Sequence, residues 1–437
     1  MFNIDFDRIK GIIKPVNAGG QPPMIGTNFS MFRYLSDALV PYSRLHDVGG
    51  AYGGGRWVDI PNIFRNFDAD ETLPENYDFA FTDLLIKALV EAGVEPYFRL
   101  GVTIENDCKV KYYHLDPPKD YNKWAIICEH IIRHYTEGWA NGFNYSITYW
   151  EIWNEPDNFE NPYDNMMWKG TEEDYFRLYD VTAKHLKKCF PNIKVGGYSS
   201  SGFYEIKAPG TFIDNANSTP RTVFLVEYFE RFLKYIKASG APMDFFSWHS
   251  YDDADSNTIY ANYVREKLDE AGYTETESHC TEWNGETQKH GTYRHAAVTA
   301  SILLEFQITP VDLACFYDMK CGMGKYAGLF SPETYKPLPP YYAFSSFGEL
   351  YELGNEVVLD YPKDKGIYAV AARNEKFGEI MITNISEEKY PLEIIAKGAD
   401  EILECRITTE GECDRKCSMP MALPPDSILT VKYTLGE

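Results

Sequence analysis

Positive charge is what this chain has least of. Against 65 Asp and Glu stand 42 Lys and Arg, a formal net charge of −23 at pH 7. So acidic a balance argues against a nucleic-acid partner, because phosphate contacts need basic patches. It also weighs against a polyanionic substrate unless a local pocket of Arg and Lys overrides the global field. Long apolar runs are missing too. The segment VTASILLEFQITPVDLACF is broken by Glu305 and Pro310, so it reads as helix, turn and strand, not as a membrane span. The stretch MFNIDFDRIKGIIKPVNAGG has no basic region followed by an apolar core, so no secretory signal and a cytoplasmic location are expected.

Cysteine is scarce and odd in number. The nine residues, scattered from Cys108 to Cys417, suit reduced thiols better than a disulfide framework. Cys405, Cys413 and Cys417 come nearest to a metal pattern, but they lack tight two-residue spacing and a second pair. No metal or other cofactor is expected. The glycine-rich GGAYGGGRW (49–57) lacks a Gly-Lys-Ser/Thr ending and follows the second strand, so it reads as a barrel-top loop rather than a phosphate cradle.

What is present is an ordinary globular composition, 44% hydrophobic and 24% charged, in 437 residues, enough for a large domain plus a smaller companion. Aromatics reach 15%. Most of them fill the core, and some could line a sugar-binding cleft. Strand-like runs are IGTNF (25–29), YSRLH (42–46), EPYFRL (95–100), SITYWEIWN (146–154), IKVGGY (193–198), DFFSWHS (244–250), ESHCTE (277–282) and VDLACFY (311–317). Amphipathic stretches of helical length separate them. One runs from near Asp78 and stops at Gly93; another opens on the capping-box pattern Thr171-Glu-Glu-Asp174. Eight alternations within about 350 residues predict an α/β fold, a (β/α)8 TIM barrel over residues 1–353, with the first ~20 residues able to pack on the second domain. From 354 to 437, short turn-punctuated strands predict an antiparallel β-sandwich.

In such a barrel, functional residues sit at the C-terminal ends of strands. Strand two ends at Arg44 and His46, strand four at Asn154 and Glu155, and strand six at His249, with Tyr251 two residues on. Strand seven ends at Glu282, followed by Trp283, and strand eight at Phe316, Tyr317 and Asp318. Alternation places Ser278, Cys280 and Glu282 on one face. Asn154 and Glu155 can share the mouth only if strand four breaks, and Pro156 supplies a reason while favouring extended geometry at Glu155. Two carboxylates across a barrel mouth suit glycoside hydrolysis, in which an acid protonates the leaving oxygen while a carboxylate stabilises the oxocarbenium-like transition state. The second carboxylate and the aromatic walls Trp150 and Trp153 would raise the acid's pKa. Arg44 and the Tyr251 hydroxyl would support the other charge. Glu151, Asp157 and Glu286 read as loop or wall residues, and Trp283 as a wall.

With YSRLHDV, YWEIWNEPDN, IKVGGY, DFFSWHSY and CTEWN in place, most of the chain resembles glycoside hydrolase family 39. The resemblance implies a retaining exo-glycosidase acting on β-xylosides or related pentose-bearing glycans. It implies the acid/base at Glu155, the nucleophile at Glu282, the 2-hydroxyl contact at Asn154, sugar contacts at His46 and His249, and a nucleophile hydrogen bond from Tyr251. The eighth strand departs from the family's β-xylosidases, which carry a tryptophan there and acidic residues in the following loop; this chain reads CFYDMKCGMGKYAGLF. Phe316 or Tyr317 would take the aromatic role, and Asp318 or Lys320 would set polarity. Related readings are an arabinosidase or an iduronidase, for which Arg99, Lys320 and Lys325 are the available cations, or a non-catalytic carbohydrate-binding barrel. The expected partner is an oligosaccharide or glycoside, with no nucleic acid and no membrane, and a homo-oligomer is left open.

Overall fold

Amphipathic helices and half-buried strands cannot bury their apolar faces alone, and here they close on one another as a barrel. The computed structural model describes residues 1–23, 25–26, 29–48, 58–103, 114–208, 211–212, 218–321, 326, 328–363 and 366–436. The glycine-rich 49–57 loop and Lys325 lie outside these residues. Eight parallel strands form a closed barrel: Ala18–Gly20, Tyr42–Leu45, Glu95–Leu100, Tyr149–Ile152, Lys194–Ser200, Phe245–Ser250, Glu277–Trp283 and Leu313–Phe316. They are the first to eighth barrel strands below.

The first strand differs from expectation. It is Ala18–Gly20, while Ile25–Gly26 and Phe29–Ser30 pair as a small antiparallel hairpin beyond it. Ala-Gly-Gly has no apolar alternation to read, and the reason for it is steric. A Cβ on Gly19 would stand 2.2 Å from Met319 Sδ, so the buried Met319 side chain packs directly on the first strand where glycine leaves room for it.

Helices cover the barrel at Ala80–Glu91, Tyr121–Thr136, Glu172–Cys189, Pro220–Ser239, Ala254–Ala271, Tyr293–Ile308 and Pro339–Leu353, with a shorter one at Arg33–Asp37. The Thr171 capping box forms as the sequence predicts: its hydroxyl accepts from Asp174 N–H, and Asp174 accepts from Thr171 N–H. None of the described helices is long and apolar enough to cross a membrane.

Most strands from 355 to 435 form one curled, largely antiparallel sheet, which the N-terminal strand Phe2–Ile12 joins between Asn355–Asp360 and Ile394–Lys397, while Tyr390–Pro391 and Ala422–Leu423 pair with each other apart from it. Phe2, Ile4 and Phe6 enter the sheet's own core with Val357, Ile380 and Leu429. The opposite face, with Val370, Ala372 and Met381, joins the core shared with the barrel. Chain start and end thus hold one accessory layer, which packs against the helices Tyr293–Ile308 and Pro339–Leu353.

Candidate active site

Inside the barrel, the lowest layer is apolar and aromatic: Ala18, Tyr97, Tyr149, Phe245, Leu313 and Cys315. Above it stands a charge that sequence patterning passes over. Glu151 is completely buried, and Arg44 Nε donates to its Oε2 at 2.7 Å. Burial alone would push the Glu151 carboxyl up, but Arg44 and the Ser199 hydroxyl, which donates to Oε1, hold it below its ordinary value. Arg44 is also buried, and the two carboxylates beside it more than offset that cost, raising its pKa. Its other nitrogens carry the site: Nη1 donates to Glu282 Oε1 at 2.9 Å, and Nη2 to Asn154 Oδ1 at 2.6 Å and Ser199 Oγ at 2.9 Å. One guanidinium therefore fixes a carboxylate and an amide from strands four and seven, standing on a buried counter-charge.

The seventh strand reaches Glu282 by an irregularity. Alternation predicts Ser278 and Cys280 beneath the acid on the inner face, and the structure differs. His279 and Thr281 point inward, His279 stacking on Phe245 and Thr281 meeting Ser199 Oγ at 3.2 Å. Ser278 faces outward and accepts from Trp248 Nε1. The pairing with the sixth strand shifts after Trp248↔Cys280, so that His249 sits beside Glu282. This bulge turns the acid into the mouth.

The fourth strand breaks more sharply than Pro156 alone requires. Trp153 has φ +71° and Glu155 φ +43°, so Glu155 is left-handed, not extended. Gln21, Asp47 and Ser199, at the ends of strands one and two and within the fifth, also have positive φ. Non-glycine residues in this region carry strain, and here they gather at the C-terminal end of the barrel. Strand four thereby delivers Asn154 and Glu155 to the same cavity. Glu155 N–H donates to Ser199 O, His249 Nδ1 lies 2.8 Å from Glu155 Oε1, and Asn158 Nδ2 donates to Oε2 at 2.9 Å. Trp150 and Trp153 are not walls of this acid. Trp150 stacks on Phe98 outside the barrel, and Trp153 is buried against Trp124 and Trp168.

The two acids are close. One carboxylate oxygen of each, with a nitrogen of His249, all lie within 4.8 Å of one another. Their surroundings differ, since the Glu282 side chain is 7% exposed and that of Glu155 18%. Glu282 Oε2 accepts from the Tyr251 hydroxyl at 2.7 Å, so each of its oxygens has a donor. His249 is fully buried, and desolvation pulls its pKa down to about 4, against the pull of Glu282, so it is neutral near pH 7. His46 is likewise held well below its ordinary value by burial and by Arg99 and Arg44. Arg99 Nε donates to His46 Nδ1 at 3.1 Å, which leaves the proton on Nε2, 3.2 Å from Asp47 Oδ1 and 3.8 Å from Glu282 Oε1. Arg99 is itself held by Asp59 at 2.8 Å.

The eighth strand splits the remaining residues by its alternation. Tyr317 reaches the mouth, where its hydroxyl accepts from Gln21 and donates to Asp47 Oδ2 at 3.0 Å, and its ring lies near Tyr251 and Tyr326. Asp318 is buried, with its carboxyl pushed up to about 7 by desolvation despite Lys320, whose Nζ is 3.3 Å away. Phe316 and Trp283 stand elsewhere. They pack on each other and on Phe344 in the layer between barrel and helices. Glu286 pairs with Arg294 near the accessory sheet, and Asp157 is buried beneath Glu155, held by Ser200 and Ser201. Glu151, Asp47, Asn158 and Gln21 are the residues that sequence reasoning missed. Only Glu151 left a signal, an acid inside an apolar strand two strands from a lone arginine at a similar level.

The likeness to known proteins agrees with this geometry. The model of the glycosyl hydrolases family 39 matches residues 52–317. A β-xylosidase of Geobacillus stearothermophilus is 25% identical over 369 residues, 73% of this chain and 66% of that protein, so the match spans about two thirds of the relative's length. A β-xylosidase of Caldicellulosiruptor saccharolyticus is 25% identical over 389 residues, 79% of this chain and 72% of that protein. Among solved structures, a glucosidase from Croceicoccus marinus superposes with a TM-score of 0.78 at 19% identity, covering 100% of this chain and 99% of that one. With its matched barrel and these strand-end residues, the chain belongs to the glycosyl hydrolases family 39.

Proposed function

We propose that the protein is a retaining exo-glycosidase that removes β-xylosyl or related pentosyl units by double displacement. The observation that carries this reading is the short separation of Glu155 and Glu282, with oxygens within 4.8 Å. Retaining enzymes place their carboxyl groups about 5–5.5 Å apart, whereas inverting enzymes leave about 6.5–9.5 Å for a water. In the first step a Glu282 oxygen attacks the anomeric carbon while Glu155 gives its proton to the leaving oxygen, forming a glycosyl ester and releasing the aglycone. In the second, Glu155 takes a proton from water as that water attacks the same carbon, and the ester bond breaks to return the Glu282 carboxylate. Arg44 and Tyr251 hold the two oxygens of Glu282 in place by hydrogen bonds, and neutral His249 orients Glu155 without adding a cation beside it.

The named β-xylosidases among its relatives favour xylose as the sugar. An iduronidase-like reading needs a cation for the substrate carboxylate; Arg99 is buried and engaged with Asp59 and His46, and Lys320 is paired with Asp318. The test is a panel of p-nitrophenyl glycosides (xyloside, arabinosides, galactoside, fucoside, glucoside). Hydrolysis of the xyloside above the others is the expected result, and no turnover of any of them would overturn the reading. Glu155→Ala and Glu282→Ala should each lower kcat on a natural glycoside by at least about 10³. Azide should rescue Glu155→Ala by attacking the glycosyl-enzyme, giving a glycosyl azide of retained configuration.

A further inference from the structure

We infer that Cys405 and Cys417 form a thiol-modification site, at which a small-molecule disulfide such as oxidised glutathione converts the pair into a cross-strand bridge that clamps the outer edge of the accessory sheet. The site lies in that sheet and does not depend on the proposed glycosidase activity.

Register brings the two thiols together. The strands Ala399–Thr409 and Glu412–Lys416 are antiparallel, with Arg406 opposite Lys416 and Ile407 opposite Arg415. One step further along this ladder Cys405 faces Cys417, whose N–H donates to Cys405 O at 2.9 Å. Side chains directly opposite point to the same face, and the two sulfurs stand 3.5 Å apart. A disulfide needs about 2.0 Å, so a small rotation of the side chains closes the gap. The third cysteine of this hairpin, Cys413, is drawn instead to the Tyr293 hydroxyl.

The two thiols differ in a way that sets the order of reaction. Cys405 is 5% exposed and packs in the sheet's core with Ile407 and Val431, and burial together with the neighbouring thiol pushes it up to about 12. Cys417 is half-buried and lines an open cavity of about 710 Å³ with Arg415, Lys416 and Ser418, room enough for a small disulfide. The Cys417 thiolate therefore attacks a sulfur of the reagent, forming a mixed disulfide and releasing one thiol. The Cys405 thiol gives up its proton and attacks the Cys417 sulfur, and the second thiol leaves. Two protein thiols are oxidised, and one reagent disulfide is reduced to two thiols. A hydrogen-bonded ladder position holds its Cβ atoms farther apart than a relaxed bridge prefers, so an excess of monothiol reopens the bond.

The clamped strand is the last in the sheet order, paired on one side only. Such edges fray and offer unpaired backbone groups to other chains. Arg406, next to Cys405, pairs with Glu349 of the helix Pro339–Leu353 at 2.9 Å. The bridge thus ties a loose edge to a strand already anchored on the barrel.

The test treats the folded full chain with oxidised glutathione, caps the remaining thiols by alkylation in denaturant and maps the peptides. Expected is a peptide joining Cys405 to Cys417, with two hydrogens lost and Cys413 alkylated, that disappears when excess reduced glutathione is added before capping. Backbone hydrogen exchange over Glu412–Lys416 should slow about tenfold in the bridged form. Cys405→Ser should stop at glutathione on Cys417, whereas Cys417→Ser should leave Cys405 without it. Alkylation of both Cys405 and Cys417, a bridge from Cys413, or unchanged exchange in the bridged form would overturn the inference.

Discussion

Replacing Arg44 by methionine is the perturbation with the most to reveal. The guanidinium lies 2.7 Å from Glu151 and 2.9 Å from Glu282, with all three groups buried. At an effective dielectric constant of about 20, unit charges about 4 Å apart interact by about 4 kcal/mol. Water entering the vacated space would screen part of this, so about 2 kcal/mol of positioning and charge support should be lost. A loss of about 2 kcal/mol lowers kcat/KM for p-nitrophenyl β-xyloside by about 30-fold, read by steady-state kinetics. Stability should fall by about 3–5 kcal/mol, because two buried carboxylates lose their counter-ion. Adding Glu151→Gln should return much of that stability, since one buried anion is gone. An unchanged kcat/KM in Arg44→Met would refute the claim that this arginine holds Glu282 for attack.

Two further substitutions probe the neighbours of the acids. Tyr251→Phe deletes the 2.7 Å hydrogen bond to Glu282 Oε2 and should lower kcat/KM by about 10–100-fold with little loss of stability, read by steady-state kinetics and thermal melting. Asp157 is held up to about 7 by burial, with Ser200 opposing, against about 3.9 in the unfolded chain. The native state thus keeps a proton that the unfolded chain releases, and this stability is lost as pH rises from about 4 through 7. Asp157→Asn removes that loss, so the variant should gain on wild type by up to about 4 kcal/mol between pH 4 and pH 8 in chemical denaturation; a constant difference would contradict the burial argument.

The two acids were legible because each ends a strand in a chain whose alternation counts to eight, and strand ends at one barrel face are brought together whatever the loops do. Their immediate geometry was not. Glu155 is left-handed, and nothing in Asn-Glu-Pro announces φ +43°. Glu282 turns inward through a register shift that alternation cannot anticipate, which also exchanged the faces assigned to Ser278 and His279. Ala18–Gly20 escaped notice because its glycines answer to Met319, a contact 300 residues away in sequence (319 − 19). Glu151 was passed over because a charged residue in a strand reads as solvent-facing; its burial depends on Arg44, 107 positions earlier. Phe316 and Tyr317 were weighed together, and the alternation of Leu313–Phe316 separates them, one to the outer layer and one to the mouth.

The central claim, that Glu282 forms a covalent glycosyl ester while Glu155 moves the proton, is tested most directly by trapping. A 2-deoxy-2-fluoro-β-xylosyl fluoride slows both steps but keeps a good leaving group, so the ester should accumulate. Intact-mass analysis should show one added fluoroxylosyl group, and peptide mapping should place it on Glu282. A label on Glu155, or wild-type turnover giving a product of inverted anomeric configuration, would contradict the account.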